Sequence, residues 1–168
     1  GWTRAYLVTA GLSAVVAVVA VVALRDGPAG RTLRGAALSR SGVLASLRSS
    51  WAQPGTRLGF WVHFSTPFSA NVLALLWGYP FFVRGEGRTS GEAGTLLTLM
   101  VVAVVVSGPV LGALISRYPW HRSTMVLSIV SAMALMWTLV LAWPGQAPLG
   151  VLVLLVVVVG VGGPASVV

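Results

Sequence analysis

Few side chains in this sequence could do chemistry, and their placement narrows what that chemistry is. The carboxylates are Asp26, Glu86 and Glu92, the imidazoles are His63 and His121, and there is no Cys. All three carboxylates flank apolar runs instead of lying inside one. A paired acid–base site or a carboxylate-ligated zinc centre therefore cannot be assembled within those runs. Without Cys there is neither a disulfide framework nor a thiolate metal site. His63 and His121 stand in different segments, each without neighbours of metal-ligand type. A serine nucleophile would need a base and an orienting group beside it, and the sequence offers no such set. Metal, cofactor and catalytic activity are thus not expected.

What remains is binding. His63 is the one ionisable group well inside an apolar run, and such groups normally face a bundle interior or a watery path. Two readings stand: a substrate-contacting or proton-sensitive group, or a neutral imidazole bonded to a neighbouring helix. Asn71, deeper in the same run, carries an amide that is costly to leave in lipid, and a cavity position is expected for it. The group Trp77-Gly78-Tyr79-Pro80 reads either as an interfacial aromatic belt at a helix end or as a gate. Pro67 and Pro80 each remove a backbone donor and kink a helix. Pro109 does the same in a later run, and Gly160, Gly162, Gly163 and Pro164 interrupt the last one. Helices broken by Gly and Pro mark binding sites in many transporters, with close helix packing as the alternative.

The elements that position these residues follow from composition. Hydrophobic residues make up 57% of the 168 positions and charged residues 8%, against about 25% charged in soluble domains. So much apolar surface belongs in lipid, where an isolated strand cannot satisfy its backbone and a helix can. Five crossings are expected: about Ala5 to Leu24, Leu58 to Val83, Ala93 to Ile115, Thr124 to Ala142, and from Leu149 onward, each near the roughly 20 residues a bilayer requires. A cleaved signal peptide is disfavoured for the first run, because no small-residue cleavage site follows it. Thr89 and Glu92 have the spacing of a capping box ahead of the third run. Between the first two runs, Leu33, Ala37, Leu38, Leu44 and Leu47 alternate with Arg34, Arg40 and Arg48, as in an amphipathic surface helix or a solvated linker.

The net charge of +8 does not call for a nucleic-acid partner, since the Arg residues sit between apolar runs as orientation signals. Arg25, Arg31, Arg34, Arg40, Arg48, Arg57, Arg117 and Arg122 fall on one side, and Arg4, Arg84 and Arg88 on the other. That asymmetry puts the 25–57 and 116–123 loops in the cytoplasm. The use of Arg without Lys, amid abundant Ala, Val and Gly, hints at a bacterial source. A chain that starts at Gly1 and stops within an apolar run reads as an internal piece of a longer protein.

The stretch "GALISRYPWHR" resembles the cytoplasmic loop signature of the major facilitator superfamily, Gly-x-Leu-x-Asp-Arg-x-Gly-Arg-Arg/Lys. Gly112, Leu114 and Arg117 fall in place and Arg122 follows. Ser116 stands where Asp is usual, Pro119 where Gly is, Trp120 where Arg is, and His121 where Arg or Lys is. "GPVLGAL" before the loop and "LWGYPFFV" at the end of the second run are similar to segments of these permeases. The resemblance implies two six-helix halves joined by a long cytoplasmic loop, with this chain covering helices six to ten. Residues 1–24 would close the first half, 25–57 would be the joint, and 58–168 would open the second half. It further implies that the second and fifth runs line the central path and that the loop latches the two halves. With Ser116 in the Asp position, the charged acceptor of that latch would come from elsewhere.

The expected fold is therefore all-α, a polytopic membrane bundle of five helices and part of a major-facilitator fold. The expected function is secondary transport of a small solute by alternating access in a bacterial cytoplasmic membrane. The expected partners are the lipid bilayer, a small-molecule substrate with or without a coupling proton or ion, and further helices of the same polypeptide. The alternative is a membrane structural or assembly subunit that transports nothing. Path candidates are His63, Asn71, Trp77, Tyr79 and Gly163; hinge candidates are Pro67, Pro80, Pro109 and Pro164; loop candidates are Gly112, Ser116, Arg117, His121 and Arg122.

Overall fold

The structure, a computed structural model, describes residues 2–23 and 39–167, all of its regular elements being helical. Leu33, Arg34, Ala37 and Leu38 of the anticipated surface helix lie outside the described residues. The chain divides into two units, residues 1–44 and residues 45–168.

In the first unit, helix α1 (Trp2–Ala23) presents apolar side chains on every side, with Leu7, Leu12, Val16 and Val21 all exposed. Two of its hydroxyls are turned inward onto the backbone: Thr9 Oγ1 donates to the Ala5 carbonyl and Ser13 Oγ to the Thr9 carbonyl, each at 2.9 Å. Beyond Arg4 and Tyr6 near its start, the helix is apolar all round, with Thr9 and Ser13 satisfied internally, as hydrocarbon requires.

Helix α2 (Arg40–Ala52) starts where the Ser39 hydroxyl accepts the Gly42 N–H at 3.1 Å, and nothing on it is buried. Leu44, Leu47 and Trp51 share one stripe. Arg40 and Arg48, however, stand four residues either side of Leu44, so basic and apolar residues share a face instead of opposing each other. Helix α3 (Pro54–Ser65) follows after Gln53 alone, with Pro54 in its first turn, a position that needs no N–H.

The second expected crossing, 58–83, is helical but not one uninterrupted helix. After α3 come a turn at Thr66 and Pro67, helix α4 (Phe68–Asn71), a π-helical stretch Val72–Trp77, helix α5 (Gly78–Pro80) and a second π-helical stretch Phe81–Gly85. The cause is local. Pro67 and Pro80 cannot donate to carbonyls four residues back, and their rings push those carbonyls away. The ladder widens in response: Gly78 N–H reaches the Leu73 carbonyl and Glu86 N–H the Phe81 carbonyl at 3.0 Å, both five residues back. Gly78 is required there, since a Cβ would sit 2.7 Å from Leu97 Cδ2 and still closer to the Leu73 carbonyl oxygen.

The remaining elements are regular. Helix α6 (Ser90–Arg117) begins with the anticipated capping box: the Glu92 N–H donates to Thr89 Oγ1 at 3.2 Å, and the Thr89 N–H donates to Glu92 Oε2 at 2.8 Å. It continues through Pro109. A single 3₁₀ turn, Pro119–His121, leads to helix α7 (Arg122–Leu141), and helix α8 (Leu149–Gly162) gives way to a 3₁₀ turn, Pro164–Val167. Four helical stretches are long and apolar enough to cross a membrane: Thr3–Ala23, Ser90–Arg117, Pro119–Leu141 and Leu149–Ser166.

In the second unit α6 and α8 run side by side in the same direction, with α7 antiparallel against α8. The core between them and the broken helix holds Phe82, Leu96, Met100, Leu152, Leu155 and Val159, all at 2% exposure or less. At the closest approach, a Cβ on Gly160 would lie 2.7 Å from both Ala103 Cβ and the Met100 carbonyl oxygen. Small residues at such a crossing let backbones meet, and without an apolar-to-water gain that packing supplies most of the association. Replacing Gly160 by Leu forces α6 and α8 apart, at a cost on the order of 1–3 kcal/mol. Thermal unfolding in detergent should shift down for Gly160→Leu and stay unchanged for Gly150→Leu, whose Cβ meets open space.

Candidate functional site

The break at Pro67 shapes the candidate site. Pro67 cannot donate to the His63 carbonyl, and just before it Thr66 donates both its N–H (3.1 Å) and its Oγ1 hydroxyl (2.8 Å) to the Val62 carbonyl, with Thr66 fully buried. Ser65 Oγ reaches the same carbonyl at 3.4 Å. Beyond the break, the Asn71 N–H returns to the Pro67 carbonyl at 2.9 Å. The bend opens a concave face of about 580 Å³, lined by residues between Phe60 and Leu76 of this one segment.

His63, Pro67 and Asn71 recur every fourth residue, which aligns them along that face; all three line it. A second ladder, Phe60, Phe64 and Phe68, runs alongside at the same interval. Trp61 links its rings, with centroids 5.3 Å from Phe60 and 6.2 Å from Phe64, and Phe64 lies 6.0 Å from Phe68. The concavity thus combines an aromatic wall with one imidazole and one amide, and no carboxylate. Sequence reading singled out the polar pair and missed the phenylalanines, although their spacing was visible.

The other path candidates lie elsewhere. Trp77 lines a separate recess of about 550 Å³ with Pro80, Phe81, Arg84 and Trp137. Tyr79 is exposed and lines neither hollow. Gly163 is half-buried against α6, its position for a Cβ 3.4 Å from Val104 Cγ2. Pro164 starts the 3₁₀ turn and packs near Gly108, beside the exposed Pro109. Close helix packing therefore accounts for the Gly/Pro cluster of α8, apart from the groove.

In the loop 112–122, Gly112 is exposed on the last turns of α6 and supplies the carbonyl that Ser116 Oγ donates to at 2.9 Å. The Ser116 hydroxyl proton is thus donated within its own helix. Arg117 stacks over Tyr118 at 5.7 Å, and the Tyr118 and His121 rings meet edge-on at 6.2 Å. His121 lines a recess between α6 and α7, whereas Arg122 points into a different hollow beside α3. Among the described residues, no group of three or more His, Asp or Glu could hold a metal ion.

At the opposite end, an unanticipated clasp joins two loops. Glu86, only 7% exposed, accepts the Ala147 N–H at 2.8 Å through Oε2, while Arg88 Nη2 donates to the Ala147 carbonyl. One residue of the 143–148 loop is held by both its backbone groups. Gly87 makes the hook possible: its φ is +62°, and Gln146 occupies the space a Cβ would need. Composition places Glu86 and Arg88 at a membrane end, but only a fold shows which distant backbone they grip.

No family model matches the chain, and no curated protein or solved structure does either. Substituting Glu86 by Ala leaves the buried Ala147 N–H without a partner, which costs about 1–3 kcal/mol. The expected outcome is a lower unfolding temperature in detergent for Glu86→Ala. Glu86→Gln, which keeps a carbonyl acceptor, should recover part of it.

Proposed function

We propose that this chain is part of a secondary transporter in which the segment 54–85 crosses the membrane and lines a water-accessible path. The observation that carries the reading is the Pro67 break with His63 and Asn71 on its concave face. A helix interrupted by a turn and two π-helical stretches leaves backbone groups that lipid cannot satisfy. Such segments occur at membrane depth where they face protein or a watery cavity. The groove has a single wall, as expected if helices beyond these residues supply the other side.

In this reading the chain contributes five crossings of a major-facilitator bundle, with the Arg-rich 25–57 and 116–123 segments in the cytoplasm of a bacterial cell. Support comes from the loop resemblance and from the alternation of ends: residues 55–62, 122–127 and 166 meet at one end, Glu86 and Ala147 at the other. The solute would stack on Phe60, Phe64 and Phe68 and be oriented by hydrogen bonds to His63 and Asn71. Rocking of one half against the other would then expose it alternately. The α6–α8 pair, closely packed at Gly160, would move as one body.

Transport assays on the complete protein in proteoliposomes test this proposal. His63→Ala and Asn71→Ala should each reduce the transport rate or raise KM about tenfold or more, the scale of one lost hydrogen bond to substrate. Unaltered rate and KM in both variants would remove the groove from the path. A complete protein that moves no solute would favour the structural-subunit alternative.

A further inference from the structure

The hollow lined by Arg122, at the end of the bundle where α3 and α7 begin, has the chemistry of a ligand site that the transport reading does not use. Its volume is about 460 Å³, and three separate elements close it: α3, the start of α7 and the final 3₁₀ turn. The lining is graded. Arg122, Ser123 and Ser166 supply a guanidinium and two hydroxyls, while Leu58, Val62 and Val126 supply apolar wall. Gly55 and Gly59 keep the α3 side open, with nothing within 4 Å of either Cβ position.

Charge selects the ligand. Among the described residues Arg122 is the one charged residue on the lining, with no Asp or Glu beside it. Glu86 and Glu92 lie at the far end of α6, about 40 Å away at 1.5 Å per residue over its 28 residues. The Ser166 hydroxyl donates only within its own turn, a long 3.3 Å bond to the Gly163 carbonyl, and its single proton can be redirected to a phosphate oxygen by rotation. A cation with hydroxyl neighbours fits a phosphate oxygen, for which Arg forms paired bonds. The apolar remainder fits acyl chain, and basic pockets between helix ends are established places for lipid headgroups.

We propose that this hollow binds an anionic phospholipid, its phosphate on Arg122 with Ser123 and Ser166, its chain along Leu58, Val62 and Val126. Bound there, the lipid would bridge α3 to α7 and to the end of α8. The inference needs only a membrane protein and is independent of whether the chain transports.

Native mass spectrometry of the complete, delipidated protein, titrated with phosphatidylglycerol, phosphatidylcholine or inorganic phosphate, tests it. The expected result is a retained phosphatidylglycerol adduct at least fivefold tighter than that of phosphatidylcholine. Arg122→Gln should abolish the preference, whereas Arg84→Gln, which removes the same charge at the opposite end, should keep it. Gly59→Leu, which fills the cavity, should lose the adduct; if that variant does not fold, Arg122→Gln on the exposed surface still decides. Equal retention of the two lipids, or a preference unmoved in Arg122→Gln, overturns the proposal. So does inorganic phosphate competing fully at millimolar concentration, which would make this a free-anion site.

Discussion

The hydrogen-bonding needs of the backbone govern this protein more than any side-chain pair. In hydrocarbon each unsatisfied N–H or C=O costs several kcal/mol, so α1, α6, α7 and α8 are long and regular. The segment 54–85 departs from that rule. It carries two prolines beyond Pro54 at its start, a turn at residues 66–67 and two stretches whose bonds span five residues. Pro67 leaves the His63 carbonyl without the N–H that a regular helix supplies four residues on, and the Thr66 and Ser65 hydroxyls go instead to the Val62 carbonyl. What Pro67 removes has to be met by protein or water, and the groove beside His63 is where that demand is exposed. The packing of the other helices follows from the same need: Gly78 admits the widened ladder against Leu97, and Gly160 brings α8 onto α6.

Much of this was legible in the sequence, because it rests on local rules. Apolar runs gave both ends of α6 and α7 within three residues and the start of α8, and the Thr89–Glu92 spacing gave the capping box. The prolines announced breaks. Their form was not legible: whether a missing donor yields a kink, a turn or a π-helical stretch depends on the neighbour that fills the space, here Leu97 against Gly78. The surface helix was half legible. A helix is present at Arg40–Ala52, and on it Arg40, Leu44 and Arg48 recur at the same interval.

The site was legible in a similarly partial way. His63 and Asn71 stood out as polar residues in an apolar run, and the bend at Pro67 does bring them to one face. Tyr79 and Gly163 stood out by the same logic and line neither that face nor its neighbour. A residue type signals that a position is unusual, whereas its azimuth about the helix decides what it meets. Tertiary pairings were beyond reach altogether. Nothing in the sequence couples Glu86 to Ala147, 61 residues apart, or Arg122 to Ser166.

The central claim is that the concave face of 54–85 meets water at membrane depth. The chain has no Cys, so single cysteines introduced into the complete protein report on their own positions, and only a hydrated thiol ionises and reacts with a water-soluble maleimide. Labelling rates in intact membranes should be high for His63→Cys and Asn71→Cys. They should be near background for Val16→Cys and Leu135→Cys, which are exposed on α1 and α7 and face lipid. Background labelling at both groove positions, equal to that of the lipid-facing pair, would contradict the account.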